Sequence, residues 1–227
     1  AGFPQPERNL LSEEGVELGK RLFFDPNLSA NGQVSCATCH NPELAFTDGE
    51  SLAMRGVSGN ALHRTSPAIF NLAWQLDGLF WDGGANDLES LNFGPLTHPD
   101  EMGADLDNVV AYLENDLQYK EQFAQVFQEN QIESAQVSRA ISQYVRTLIS
   151  QNSKYDRWQR DEEYFSELEL KGYQIYQKSC SSCHQEGLFT DRSFHNNGLD
   201  KEYPNPPELE GLYQARYRIT SNPEDMG

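Results

Sequence analysis

Cys36-Ala37-Thr38-Cys39-His40 and Cys180-Ser181-Ser182-Cys183-His184 are the two stretches on which the reading of this chain turns. They take up all 4 cysteines of the sequence. On one helical turn, the Cys-x-x-Cys spacing lets two thiols reach the two vinyl groups of one haem, and the next residue turns its imidazole onto the iron. Paired disulfides, a four-thiolate zinc site and thioredoxin-like redox pairs share the cysteine spacing, but none of them requires histidine directly after the second cysteine. Finding that histidine twice among only 5 in the chain favours two covalently attached haem c groups, held by Cys36, Cys39 and His40 and by Cys180, Cys183 and His184. Covalent haem attachment in bacteria belongs on the oxidising side of a membrane, so a periplasmic location is expected.

Working outward, Gly19-Lys20-Arg21-Leu22-Phe23 precedes the first motif as Gly172-Tyr173-Gln174-Ile175-Tyr176 precedes the second. Leu44-Ala45-Phe46-Thr47-Asp48 and Leu188-Phe189-Thr190-Asp191 follow them in the same way. Two copies of one small helical unit explain the echo. The expected fold is mostly α, with two cytochrome c-like haem domains, 1–160 and 161–227, connected by long ordered loops. The second domain reads as incomplete in this chain. Ser12 is a plausible N-cap for a helix over Glu13 to Phe24 that Asp25-Pro26-Asn27 ends. Gly-, Pro-, Asn- and Ser-rich sequence then runs to about Asp105 and predicts loops with brief helices. Apolar residues at helical spacing predict three amphipathic helices, around Leu106–Leu113, Phe123–Phe127 and Val137–Leu148. The polar stretch from Asn152 to Glu163 reads as the domain boundary, and a further helix is expected around Leu168 to Lys178.

The chain has 227 residues and a formal charge of −18, which argues against nucleic acid as a partner because so acidic a surface repels phosphate. Hydrophobic residues make up 37% and aromatic residues 11%, a balance that suits a core completed by a non-protein group. No segment approaches the roughly 18 consecutive apolar residues of a membrane span, and Ala1-Gly2-Phe3-Pro4 does not read as a signal sequence, so a soluble, already processed chain is expected.

A haem iron with two strong protein ligands shuttles electrons, and one with an open face can bind peroxide. For the His40 haem, the nearby sixth-ligand candidates are Met54 and His63. An open face at rest is the expectation. For the second haem, Met226 lies at the end of the sequence, and His195 is expected to hydrogen-bond backbone or a haem propionate.

These residues, together with Arg64-Thr65-Ser66-Pro67, Phe80-Trp81-Asp82-Gly83, Pro95, Glu101-Met102-Gly103, Arg146-Thr147-Leu148 and Phe194-His195-Asn196, give a chain that resembles the bacterial di-haem cytochrome c peroxidases and the related MauG-type enzymes. The resemblance covers most of the sequence. It implies a peroxidatic haem at His40, an electron-entry haem at His184, coupling between them through Trp81, and a distal acid–base carboxyl at Glu101. It also implies departures. Leu91 stands where the family has glutamine, Gly84 where an arginine is common, and Thr65 where an asparagine helps bind calcium, which leaves a calcium ion doubtful.

The expected activity is therefore that of an oxidoreductase, reduction of hydrogen peroxide with electrons from a small donor protein, a cytochrome c or a cupredoxin. Oxidation of a tryptophan or tyrosine of a partner protein and electron transfer without catalysis are the alternatives. A homodimer is compatible with the sequence.

Overall fold

The computed structural model describes residues 3–53, 55–62, 64–196 and 216–225. Met54, His63 and Met226, three of the sixth-ligand candidates, lie outside them. The regular secondary structure among the described residues is helical, apart from two isolated β-bridges, Asn41 with Thr47 and Leu79 with Ala85.

Helix α1, Glu13–Phe24, starts where the sequence predicts: the Ser12 hydroxyl accepts the Gly15 N–H at 3.0 Å, and the chain leaves helical geometry at Asp25. The short helix α2, Cys36–Cys39, carries the first motif. Two more short helices, α3 Leu88–Leu91 and α4 Phe93–Thr97, punctuate the long loop region. The three amphipathic helices are α5 Leu106–Asn115, α6 Leu117–Phe127 and α7 Ser134–Arg146. Asp105 and Asp116 cap α5 and α6 by accepting the N–H of Asn108 and Tyr119.

The core forms where α1 crosses α7. Leu18, Leu22 and Phe23 bury against Val137, Ala140, Ile141 and Tyr144. Two glycines of α1 permit the close crossing: a Cβ on Gly19 would lie 1.9 Å from the Ala140 carbonyl oxygen, and one on Gly15 2.1 Å from Gln143 Oε1. On the other side of α7, a buried polar network ties in α3. Arg146 Nη2 donates to Glu89 Oε2 at 2.7 Å, and Nη1 stands 2.6 Å from Oε1 as an ion contact without hydrogen-bond direction. Burial would raise the Glu89 carboxyl, yet Arg146 and the Asn9 amide hold it below the usual carboxylate range. Tyr119 of α6 reaches the end of α1, donating to Asp25 Oδ2 at 2.7 Å.

After Arg146 no described residue is buried. The stretch expected to be a polar boundary contains a helix, α8 Lys154–Gln159, opened by a Ser153–Asp156 capping box. Its Tyr155 and Trp158 join Phe165 with Tyr173 and Tyr176 of α9, Glu167–Ser179, and with Phe189. Trp158 stacks on Phe165 with centroids 4.5 Å apart. Sequence pattern hid this cluster because its aromatics are separated by charged residues that face water.

Candidate functional site

The first motif is a single helical turn with its ends tied off. Thr38 Oγ1 accepts the Ser35 N–H at 3.0 Å, and the His40 N–H donates to the Cys36 carbonyl at 2.9 Å. The chain then doubles back through Ala45 and Phe46, both left-handed at φ 55° and 59°. Such a conformation costs a non-glycine residue about 1 kcal/mol. It aims the Phe46 carbonyl at His40 Nδ1, 3.0 Å away. The Pro67 carbonyl faces the same imidazole. With its proton held at Nδ1 by a backbone acceptor, the ring offers the Nε2 lone pair to a metal. Burial pushes His40 below its ordinary value and keeps it neutral, against the opposing pull of the Phe46 and Pro67 carbonyls and of Asp48.

The second motif repeats this geometry. His184 N–H donates to the Cys180 carbonyl at 2.9 Å, and His184 Nδ1 lies 3.1 Å from the carbonyl of Phe189, itself left-handed at φ 56°. The Tyr176 hydroxyl also donates to the His184 carbonyl. The echo Leu-Phe-Thr-Asp thus has a physical meaning: its phenylalanine supplies the carbonyl that orients the histidine. Ala45, the extra residue of the first copy, is absorbed by a second left-handed position.

All four thiols are free. Burial pushes Cys36 up to about 12, and Cys39 is raised first by burial and then by the charges of Asp48 and Glu101. Two unpaired thiols on one turn, followed by an imidazole with an available Nε2, are the donor set of a covalent haem, and both motifs fit it. The segments after each motif keep Leu44 and Leu52, and Leu188 and Phe189, at the surface, as an apolar macrocycle requires.

Glu101 sits on a turn between α4 and α5. Its N–H and that of Gly103 both donate to the His98 carbonyl, at 3.0 and 2.9 Å, and Gly103 takes a left-handed φ of 58°. Buried Met102 anchors the turn. Burial pushes the Glu101 carboxyl above its ordinary value; His98, with Nδ1 3.8 Å away, opposes the rise and Asp100 adds to it. Trp81 follows the left-handed Phe80, and its Nε1 donates to the Thr65 carbonyl at 3.4 Å. Residues 65–67 therefore link Trp81 to the His40 ring. The indole is 57% exposed. A segment downstream of the second motif meets the Trp81 turn: Arg216 Nη1 donates to the Asp82 carbonyl at 3.0 Å and the guanidinium covers the Phe194 ring at 3.7 Å.

The His195 Nε2 pairs with the Asp191 carboxylate at 2.7 Å. Among the described residues, no group of three or more His, Cys, Asp or Glu side chains is arranged to hold a bare metal ion. Thr65, which stands where the family's calcium-binding asparagine would be, accepts the Trp81 Nε1–H at its carbonyl. Sequence reading missed the carbonyls of Phe46 and Phe189 as histidine partners; the repeated Leu-Phe-Thr-Asp was the available signal.

Residues 13–164 match the model of the di-haem cytochrome c peroxidase family, which includes MauG. The chain is 38% identical over 202 residues to the methylamine utilization protein MauG of Methylophilus methylotrophus, covering 87% of this chain and 60% of that protein. It is 33% identical over 225 residues to the cytochrome c peroxidase Ccp of Escherichia coli strain K12, covering 98% and 48%. The chain thus spans about half to three-fifths of the length of these relatives. A solved MauG-like protein associated with microbial copper homeostasis superposes with a TM-score of 0.87 at 32% identity, over 100% of this chain and 70% of that one. The di-haem peroxidase BthA of Burkholderia thailandensis, at a TM-score of 0.78 and 22% identity over 96% and 63%, shares the fold.

Proposed function

The chain belongs to the di-haem cytochrome c peroxidase family, and from that premise we propose that it forms the haem-bearing part of a periplasmic oxidoreductase that reduces hydrogen peroxide to water, consuming two electrons and two protons per peroxide. The twofold His–Phe carbonyl arrangement carries the reading: two imidazoles, each held at Nδ1 by a phenylalanine carbonyl, stand directly after two free thiols.

Cys36 and Cys39 would hold one haem c and Cys180 and Cys183 the other, with His40 and His184 as their axial ligands. The haems supply redox-active iron for peroxide cleavage and for electron uptake. Glu101 moves a proton from one peroxide oxygen to the other, from a site where burial raises the carboxyl above its ordinary value. Trp81 would couple the two haems: its indole is tied to Thr65 near His40, and the next residue, Asp82, meets Arg216 downstream of His184. The two units, 1–160 and 161–227, divide peroxide chemistry from electron entry. The electrons come from a small donor protein, a cytochrome c or a cupredoxin.

Glu101→Gln in the haem-loaded protein is expected to leave haem content unchanged and to slow peroxide turnover about a hundredfold. Unchanged turnover removes Glu101 from the mechanism. His184→Ala is expected to impair donor oxidation more than the first reaction with peroxide; the opposite pattern reverses the two haem roles.

A second reading follows from the relatives' names, since two MauG proteins match at 38% and 41% identity. In it, the oxidising equivalents go to a tryptophan or tyrosine of a partner protein. Product analysis with a donor protein present separates the two readings. Carbon monoxide separates both from a pure electron carrier, because a closed low-spin iron does not bind the gas.

A further inference from the structure

Glu101 stands on a turn that neither helix nor strand holds in place, yet an acid–base group works only within hydrogen-bond reach of its proton. One side of the turn is tied to the loop before the first motif, where the Ala30 N–H donates to the Met102 carbonyl at 2.9 Å. The other side is gripped by residues 56–60. The Val57 N–H donates to the carbonyl of Glu101 itself at 2.7 Å. Asn60 Nδ2 donates to Asp100 Oδ1 at 2.9 Å. Gly56 lies so close that a Cβ there would stand 1.7 Å from the Asp100 carbonyl oxygen and 3.0 Å from the Glu101 Cα. Gly56 has no left-handed backbone to explain it, so its use here is the close approach alone.

We propose that Gly56 and Asn60 are positioning residues for Glu101, clamping its turn through Asp100 so that the carboxyl is held in register with the first haem site. The proposal rests on the acid–base role given to Glu101 above. The ordinary alternative is that these contacts anchor the loop and nothing more. The two differ in whether the effect passes through the Glu101 carboxyl. A misplacement of about 1 Å at an acid–base group can cost on the order of a hundredfold in rate.

The test uses the haem-loaded chain with Asn60→Asp, which sets a carboxylate against Asp100, and the pair Asn60→Asp/Asp100→Asn, which restores a hydrogen-bonding partner. Amide exchange at Val57 reads the clamp without reference to activity. Asn60→Asp is expected to speed that exchange at least tenfold and to lower peroxide kcat about tenfold or more, with KM and haem content little changed; the pair restores both. In a Glu101→Gln background, Asn60→Asp is expected to cause no further loss of kcat, because the group it misplaces is already gone. An additive loss there, or unaltered Val57 exchange and kcat in Asn60→Asp, overturns the inference. Gly56→Ala, which must push the Asp100 carbonyl away, should give the same non-additive pattern more strongly. If the wild-type protein turns over no peroxide, the functional reading falls, while Val57 exchange still decides whether the clamp exists: faster exchange in Asn60→Asp upholds it and unaltered exchange removes it.

Discussion

Two side chains at the first site are set by burial, and each makes a measurable difference. The Glu101 carboxyl is raised by burial above its ordinary 4.5. As a base it must be ionised, so the acid limb of the kcat/KM profile for peroxide is expected above that value and to vanish in Glu101→Gln. The same shift bears on stability. A carboxyl raised in the folded state contributes fully below its unfolded value, and that contribution is lost as pH rises through the folded value. Glu101→Gln is therefore expected to melt above wild type at about pH 8 and level with it at about pH 4, as thermal unfolding would show. Cys36, pushed up to about 12 from 9.0, carries on the order of a thousandfold less thiolate at pH 8 than an ordinary thiol. Before haem attachment, iodoacetamide is expected to label exposed Cys180 and Cys183 well ahead of Cys36; equal labelling would mean that the first motif is open to solvent.

Between elements, the two copies of the repeat differ in what their first helix meets. Gly19 in α1 abuts the backbone of α7, and Gly172 at the matching place in α9 has, among the described residues, nothing within 4 Å of where its Cβ would be. Gly19→Ala has to force α1 and α7 apart, at an expected cost of about 1–3 kcal/mol, the usual scale of overpacking. Gly172→Ala is expected to be neutral or to stabilise by up to about 1 kcal/mol, through helix propensity alone. Chemical denaturation of the two variants measures both. Equal destabilisation would show that α9 has a close helical neighbour of its own. Among the described residues, α9 packs through the aromatic cluster with α8, where Trp158 meets the Tyr173 ring edge-on with centroids 5.0 Å apart.

At the scale of the whole molecule, every described buried residue precedes Thr147. Opening free energy follows buried contacts, so amide exchange is expected to be slowest in α1 and α7 and fast throughout α8 and α9. Limited proteolysis is expected to leave a resistant fragment ending between Ser150 and Glu163. Protection in α9 equal to that in α7 would contradict this ordering. Such a gradient would place the residues proposed to handle peroxide on the part of the chain with a closed core.

Much of this was legible in the sequence because it is local. The Cys-x-x-Cys-His turn closes within five residues, the Ser12 cap acts three residues away, and helices α5, α6 and α7 write their buried faces into their own spacing. Other features exist only once distant segments meet. Gly56 and Asn60 lie some forty residues from the Asp100–Glu101 turn that they touch, and no periodicity marks them. The carbonyls that orient His40 and His184 depend on left-handed phenylalanines, a backbone choice that residue type does not announce. The donor set of each motif is fixed by spacing along one helical turn and so by order in the chain. The placement of Glu101 and the unequal burial before and after Thr147 depend on which surfaces pack together, and only the tertiary structure decided that.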